Sequence, residues 1–229
     1  MTDSFGLTIA INRRTGRAVS ETELSEFFFH GQWGRNGESI SGPGSTLAYT
    51  EGFRHFLKGL YCHLNVKTFI DAPCGDFNWM KEMDLTGIRY YGFDIVPEII
   101  EKNQEKYQTE TVTFEQADIC EDAFPKADLF MARDVLFHLP EKHIFRFFDN
   151  FLKQDIQFLL TTSHHGRRNS DIPQPGGFRN LNLRRSPYHL PVPLAVLPDY
   201  PRTNKGLKHP RDLLLFSKDA LAAWRSKHV

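Results

Sequence analysis

Apolar positions along this chain switch between two spacings. Short runs rich in apolar and β-branched residues alternate with longer stretches in which apolar residues return every three or four positions. The runs Thr68–Ala72, Arg89–Asp94, Thr111–Ala117, Ala127–Ala132 and Ile156–Thr162 predict five strands. Between them the helical spacing predicts a short helix near Asn78–Met83, one over Pro97–Tyr107 with proline in its first turn, and one over Glu141–Lys153. The last of these puts Ile144, Phe147, Phe148, Phe151 and Leu152 on one face. Strand–helix alternation of this kind predicts a parallel sheet covered by helices on both sides. The ending differs. Residues 166–193 are polar and rich in Pro, Gly, Asn and Arg, which predicts a long loop. Leu194–Leu197 and Asp212–Phe216 then read as two strands with no helix between them, hence a hairpin. Ahead of the first strand, Phe53, Phe56, Leu57, Leu60 and Tyr61 lie at helical spacing. Further upstream, Ser20–Glu23 reads as a capping box before Leu24, Phe27 and Phe28, and a Gly- and Ser-rich stretch follows with Trp33 inside it. The expectation is a single domain over 1–229: an N-terminal helical lid over 1–64 and an α/β core over 65–229.

Composition narrows the class. The chain has 229 residues, 40% of them hydrophobic, with 20 Phe, which suits one packed globule. Lys and Arg balance Asp and Glu at 28 each, so no bulk positive field favours nucleic acid. No apolar run approaches the roughly 20 residues of a membrane span. The first residues, with Asp3, lack the apolar stretch of a secretory signal. Cys62, Cys74 and Cys120 show no paired spacing, so reduced thiols and a cytoplasmic location are expected. The oligomeric state is not legible at this level.

The chemistry gathers at the strand ends. Asp71 lies near the end of the first predicted strand, Asp94 ends the second and Asp118 ends the third. In a parallel sheet these three acids face one crevice, where nucleotide-like ligands bind. The turn after the first strand is Asp71-Ala-Pro73-Cys-Gly75-Asp76-Phe77. With Asp94 and Asp118 it resembles the class I S-adenosylmethionine-dependent methyltransferases, whose first motif is acidic-x-Gly-x-Gly-x-Gly. Only the central glycine is kept, because Pro73 and Phe77 replace the outer two. The Asp-x-Pro-Cys-Gly-Asp-Phe form is similar to a subgroup of bacterial biosynthetic methyltransferases. That likeness extends upstream to Ser39–Ser45 and downstream to Arg133–Pro140. It implies a Rossmann-like fold: a mainly parallel seven-stranded sheet with a terminal antiparallel hairpin. It also implies S-adenosylmethionine as cofactor, held by Asp71, Pro73, Gly75, Asp76, Asp94, Ile95, Asp118, Ile119 and Arg133. Asp94 suits the ribose diol, since a strand-end carboxylate can accept two hydrogen bonds. Asp118 sits where the family accepts from the adenine amino group. A nicotinamide-dependent dehydrogenase fits less well, because no GxGxxG follows the first strand.

Methyl transfer needs alignment, and a hydroxyl acceptor also profits from a general base. His138, about one helical turn beyond Asp134, is the candidate base, and Asp134 a second candidate catalytic group. Trp33, Ser41, His164, His165 and Arg179 are candidate acceptor contacts. Neighbouring histidines diverge and no further ligands accompany them, so no metal is expected. Arg167, Arg168, Arg179, Arg184 and Arg185 make the long loop basic, which points to an anionic acceptor if the loop is not merely solvated. The segments Phe178–Asn182 and Pro187–Pro191, with Phe178 and Tyr188, offer sugar stacking and hydrogen bonds. The expectation is O-methylation of a small-molecule or glycan-like acceptor. The alternatives are N-methylation of a small-molecule, protein or nucleic-acid acceptor, and a cofactor-binding module without turnover. The Asn/Asp-Pro-Pro-aromatic signature of amino-methylating nucleic-acid enzymes is absent.

Overall fold

The computed structural model describes residues 37–200 and 209–227. Trp33 and the capping box at Ser20–Glu23 lie outside the described residues, and of the expected N-terminal unit only 37–64 is described. The sheet has seven strands: β1 (Thr68–Asp71), β2 (Arg89–Asp94), β3 (Val112–Gln116), β4 (Ala127–Ala132), β5 (Ile156–His164), β6 (Ala195–Pro198) and β7 (Arg211–Ser217). Their order is β3-β2-β1-β4-β5-β7-β6. The first five are parallel, and β7 runs antiparallel to both β5 and β6. The hairpin expected from the sequence is therefore present, with β7 inserted between β5 and β6.

Successive residues of each strand serve opposite faces. Phe69, Leu129 and Leu160 belong to one core layer, whereas Ile70, Phe130 and Leu159 belong to the other. The first layer is closed by α1 (Leu47–Leu64) and by Ile100 of α2 (Pro97–Tyr107). The second is closed by α3 (Glu141–Lys153) and α4 (Lys218–Arg225). Helix α1 starts because the Thr46 side chain accepts from the Tyr49 amide, and it stops at Asn65 in the left-handed region (φ 51°). It buries Phe53, Leu57, Leu60 and Tyr61 and leaves Phe56 exposed.

Three details depart from the expectations. The helix near Asn78–Met83 is only a 3-10 turn, Met80–Glu82. Asn78 is committed to Glu38 and to the Ser45 carbonyl, and an Asp84–Thr86 turn follows at once. Helix α4 was not anticipated. It is capped by Ser217 and buries Leu221 and Trp224. The loop after β5 lacks regular structure but is not a solvated loop: Leu181, Leu183, Tyr188 and Leu190 are each at most 1% exposed. Its backbone is sewn to β5 through the His164 amide on Leu181 O and the Leu183 amide on Ser163 Oγ. Among the described residues no helix is long and apolar enough to cross a membrane.

Candidate active site

The turn after β1 is built by its neighbours. The Ala72 amide donates to Met131 O at 2.9 Å and the Cys74 amide to Phe93 O at 2.7 Å, so strands β4 and β2 hold it from both sides. Gly75 follows with φ +54°, and its amide donates to Asp94 Oδ2 at 3.0 Å. Asp94 Oδ1 accepts from the Val96 amide at 3.1 Å. Phe77 also has a positive φ, +57°, at the position where the resembled motif has glycine. Its ring lies in the core between Tyr90, Tyr107 and Phe114 at 5.1–5.3 Å, and that packing offsets the backbone strain.

A strap crosses above this turn. The Asp76 carboxylate accepts from Ser39 Oγ (2.9 Å), the Ile40 amide (2.8 Å) and Ser41 Oγ (3.2 Å). The Asp76 amide donates back to Ser41 Oγ at 3.1 Å. A Cβ on Gly75 would stand 2.2 Å from Ser41 Oγ, so glycine is required here by contact as well as by φ. Between the strap and the strand ends lies a cavity of about 340 Å³. It runs from Asp118, Ile119, Cys120 and His143 at one end to His138, Phe178 and Arg211 at the other.

Three buried or half-buried acids line it. Burial pushes Asp71 up to about 7, with nearby Asp94 adding to the rise and the Tyr90 hydroxyl (2.8 Å) opposing it. Burial likewise pushes Asp94 up to about 6 against its backbone donors. Asp118 is raised by burial too, while its Oδ1 accepts from the Cys120 amide at 2.7 Å. Such groups welcome a ligand rich in donors or positive charge. The Ile119 amide has no protein partner among the described residues, so a donor stands beside the Asp118 acceptor. This set fits S-adenosylmethionine, which carries a sulfonium, a ribose diol and an adenine amino group.

The other end is organised by two arginines and two aspartates. Arg133 contacts Asp199 at 2.9 Å and Asp134 at 3.5 Å; Arg211 contacts Asp134 at 2.6 Å and Asp199 at 3.2 Å. Arg133 also donates to Gly44 O at 2.7 Å, tying the strap down, and lies over the rings of Phe53 and Trp79. Burial works to raise Asp134, but Arg211 and Arg133 together hold it below the usual carboxylate range. Asp199 and Arg211 were missed from sequence. Asp199 follows Pro198 and Arg211 stands between Pro210 and Asp212, so neither reads as part of a motif, and only the β6–β7 hairpin brings them together.

His138 sits in a 3-10 turn after β4, and its Nδ1 lies 2.7 Å from Gly177 O. A carbonyl only accepts, so Nδ1 carries the proton and Nε2 the lone pair. Burial lowers His138 to about 4, so the ring is neutral across the physiological range.

The structure brings many of the sequence-chosen residues to the cavity wall. Asp71, Pro73, Gly75, Asp94, Ile95, Asp118, Ile119, Arg133, Asp134, His138 and Ser41 all line it. Asp76 does not; its carboxylate is spent on the strap. His164 is buried behind the wall, with Nδ1 accepting from the Leu181 amide. His165 points outward and pairs with Asp212 at 2.6 Å. Arg179 is 5% exposed and reaches toward Tyr188 and Asp171, because the loop folds inward around it. Tyr188 is core, its carbonyl accepting from Trp224 Nε1, and it offers no stacking face to an acceptor.

Residues 70–158 match a family described as a methyltransferase domain. No curated protein matches by sequence. Among solved structures, magnesium protoporphyrin IX methyltransferase from Synechocystis PCC 6803, with bound S-adenosylmethionine, superposes with a TM-score of 0.57 at 15% identity. That match covers 86% of this chain and 96% of the other. Human N-acetylserotonin methyltransferase gives 0.52 at 13% identity over 86% of this chain, which spans 56% of the human chain. An S-adenosylmethionine-dependent methyltransferase from Clostridium acetobutylicum ATCC 824 gives 0.52 at 11% identity, covering 72% and 90%. These likenesses are of fold. Residues 70–158 thus match a methyltransferase domain seated on this strand order, beside a cavity whose lining suits S-adenosylmethionine.

Proposed function

We propose that the enzyme methylates a hydroxyl oxygen of a small acceptor, with His138 as the general base. The observation that carries this reading is the Nδ1–Gly177 hydrogen bond on a histidine that lines the cavity. S-adenosylmethionine supplies the methyl group when bound. Asp94 would accept from its ribose hydroxyls, and Asp118 with the Ile119 amide would hold the adenine edge. The acceptor proton passes to Nε2, while Gly177 O steadies the imidazolium that forms. Asp134 serves as a positioning group, since Arg211 and Thr162 already engage its carboxylate. The basic loop gives little support to an anionic acceptor. Arg179 is turned away from the cavity, and Arg133 and Arg211 are matched by two aspartates.

His138→Ala should keep cofactor affinity and lower turnover by about 10²–10⁴-fold. The base must be unprotonated. With its folded value near 4, kcat/KM should stay flat through neutral pH and fall only as pH drops through about 4, below the usual histidine range. A product mass 14 Da heavier on oxygen (about one CH₂ added, as expected for methyl transfer) completes the test. Methylation on nitrogen, or a variant with near-normal turnover, would sink the assignment.

A further inference from the structure

We propose that Phe178 is the surface that selects the acceptor, and that the acceptor is a flat aromatic ring bearing the hydroxyl. This rests on the hydroxyl-transfer reading above. Phe178 belongs to the loop after β5 and is 48% exposed, yet it lines the cavity beside His138. A large apolar side chain left half open in a folded protein is informative when it sits in a ligand cavity. Its neighbours pin it by ring contacts: Phe137 at 5.5 Å, His138 at 6.1 Å, His164 at 6.0 Å and His209 at 5.0 Å. All four are steeply inclined to it, between 56° and 88°. Steeply inclined rings on several sides fix its position, and its exposed surface, lining the cavity, is available to an aromatic partner.

The polar inventory at this end decides between acceptor classes. The wall around His138 is Phe137, Leu139, Pro175 and Phe178. Its charged neighbours Asp134 and Arg211 are paired to each other at 2.6 Å. A sugar or other polyol would bring several hydroxyls to a wall that, among the described residues, is mostly apolar around His138, and each unpaired one would cost desolvation. An anionic acceptor would have to break a buried ion pair. A flat aromatic ring brings one hydroxyl, which His138 takes, and leaves its apolar faces to Phe178 and Leu139.

The test is calorimetry on the protein saturated with S-adenosylhomocysteine, titrating 4-methylphenol, 4-methylcyclohexanol and methyl glucoside. The phenol should bind at least tenfold more tightly than either saturated ring. Phe178→Ala should weaken phenol binding about tenfold and leave S-adenosylhomocysteine affinity unchanged, whereas Phe178→Trp should retain phenol binding. Equal or tighter binding of a saturated ring, no phenol binding, or an indifferent Phe178→Ala variant would each overturn the inference. Methyl transfer to the same phenol is followed separately. A phenol that binds through Phe178 without being methylated leaves Phe178 as an aromatic-binding surface but overturns the aromatic acceptor and, with it, the hydroxyl-transfer reading.

Discussion

At the scale of single residues, Asp94 is the position where function and stability oppose each other. Its folded value, about 6, stands above the ordinary 3.8. A raised carboxyl binds its proton more tightly in the folded state, so the folded protein holds more protons between those values. Stability from this residue therefore falls as pH rises from about 4 to 6. Asp94→Asn removes that penalty. Relative to the parent, the variant should gain stability between pH 4 and pH 7.5 in urea melts, while losing about 1.5–3 kcal/mol of S-adenosylmethionine binding as charge-assisted acceptors disappear. A variant whose relative stability does not change with pH would show that burial of this carboxylate costs nothing. His138, His143 and His164 have the opposite sign. Each is lowered to about 4 by burial, so the stability they contribute is lost as pH falls from about 6.5 to 4.

At the scale of elements, the strap over the β1 turn is the most sensitive joint. Gly75→Ala forces a side chain into the left-handed region and against Ser41 Oγ. It should cost about 1–2 kcal/mol of stability from the backbone alone and raise the cofactor Kd at least tenfold by lifting the strap. Adding Ser41→Gly should restore part of the affinity and none of the backbone cost; full recovery of stability would contradict the φ argument. The sequence made β2, β4, α2 and α3 legible to the residue, because Arg89–Asp94 and Glu141–Lys153 state their period without competition. It also located Asp71, Gly75, Asp94 and Asp118 at the strand ends and turn that line the cavity, since strand ends and turns are local. The strap was less so. Asp76 looks like a ligand contact in the motif, and only the fold shows its oxygens taken by residues 36 and 37 positions away. The loop after β5 misled for a related reason. Its arginines and prolines dominate the composition, while four buried anchors, Leu181, Leu183, Tyr188 and Leu190, decide its path.

At the scale of the whole molecule, Asp199 joins parts that are distant in sequence. It is fully buried between Arg133, at the end of β4, and Arg211, at the start of β7, and Arg133 also holds Gly44 of the strap. Asp199→Ala leaves two buried guanidinium groups short of a partner and should lower stability by about 3–5 kcal/mol in a denaturant melt. A loss under 1 kcal/mol would mean that water replaces the carboxylate. The strand order carries a further consequence, for the newborn chain. In order of synthesis, each of strands β2 to β5 has its sheet neighbour already made before it. The far edge of β5, however, is reserved for β7, whose Arg211 pairs with His164 and whose Ser217 pairs with Phe158. The 46 residues from 165 to 210 must be translated first, roughly 2–10 s at ordinary elongation rates. For that interval a nine-residue strand carrying Leu159 and Leu160 stands with open hydrogen-bonding groups. Any early pairing of β1 to β5 therefore leaves one edge of the sheet exposed until the last strand arrives.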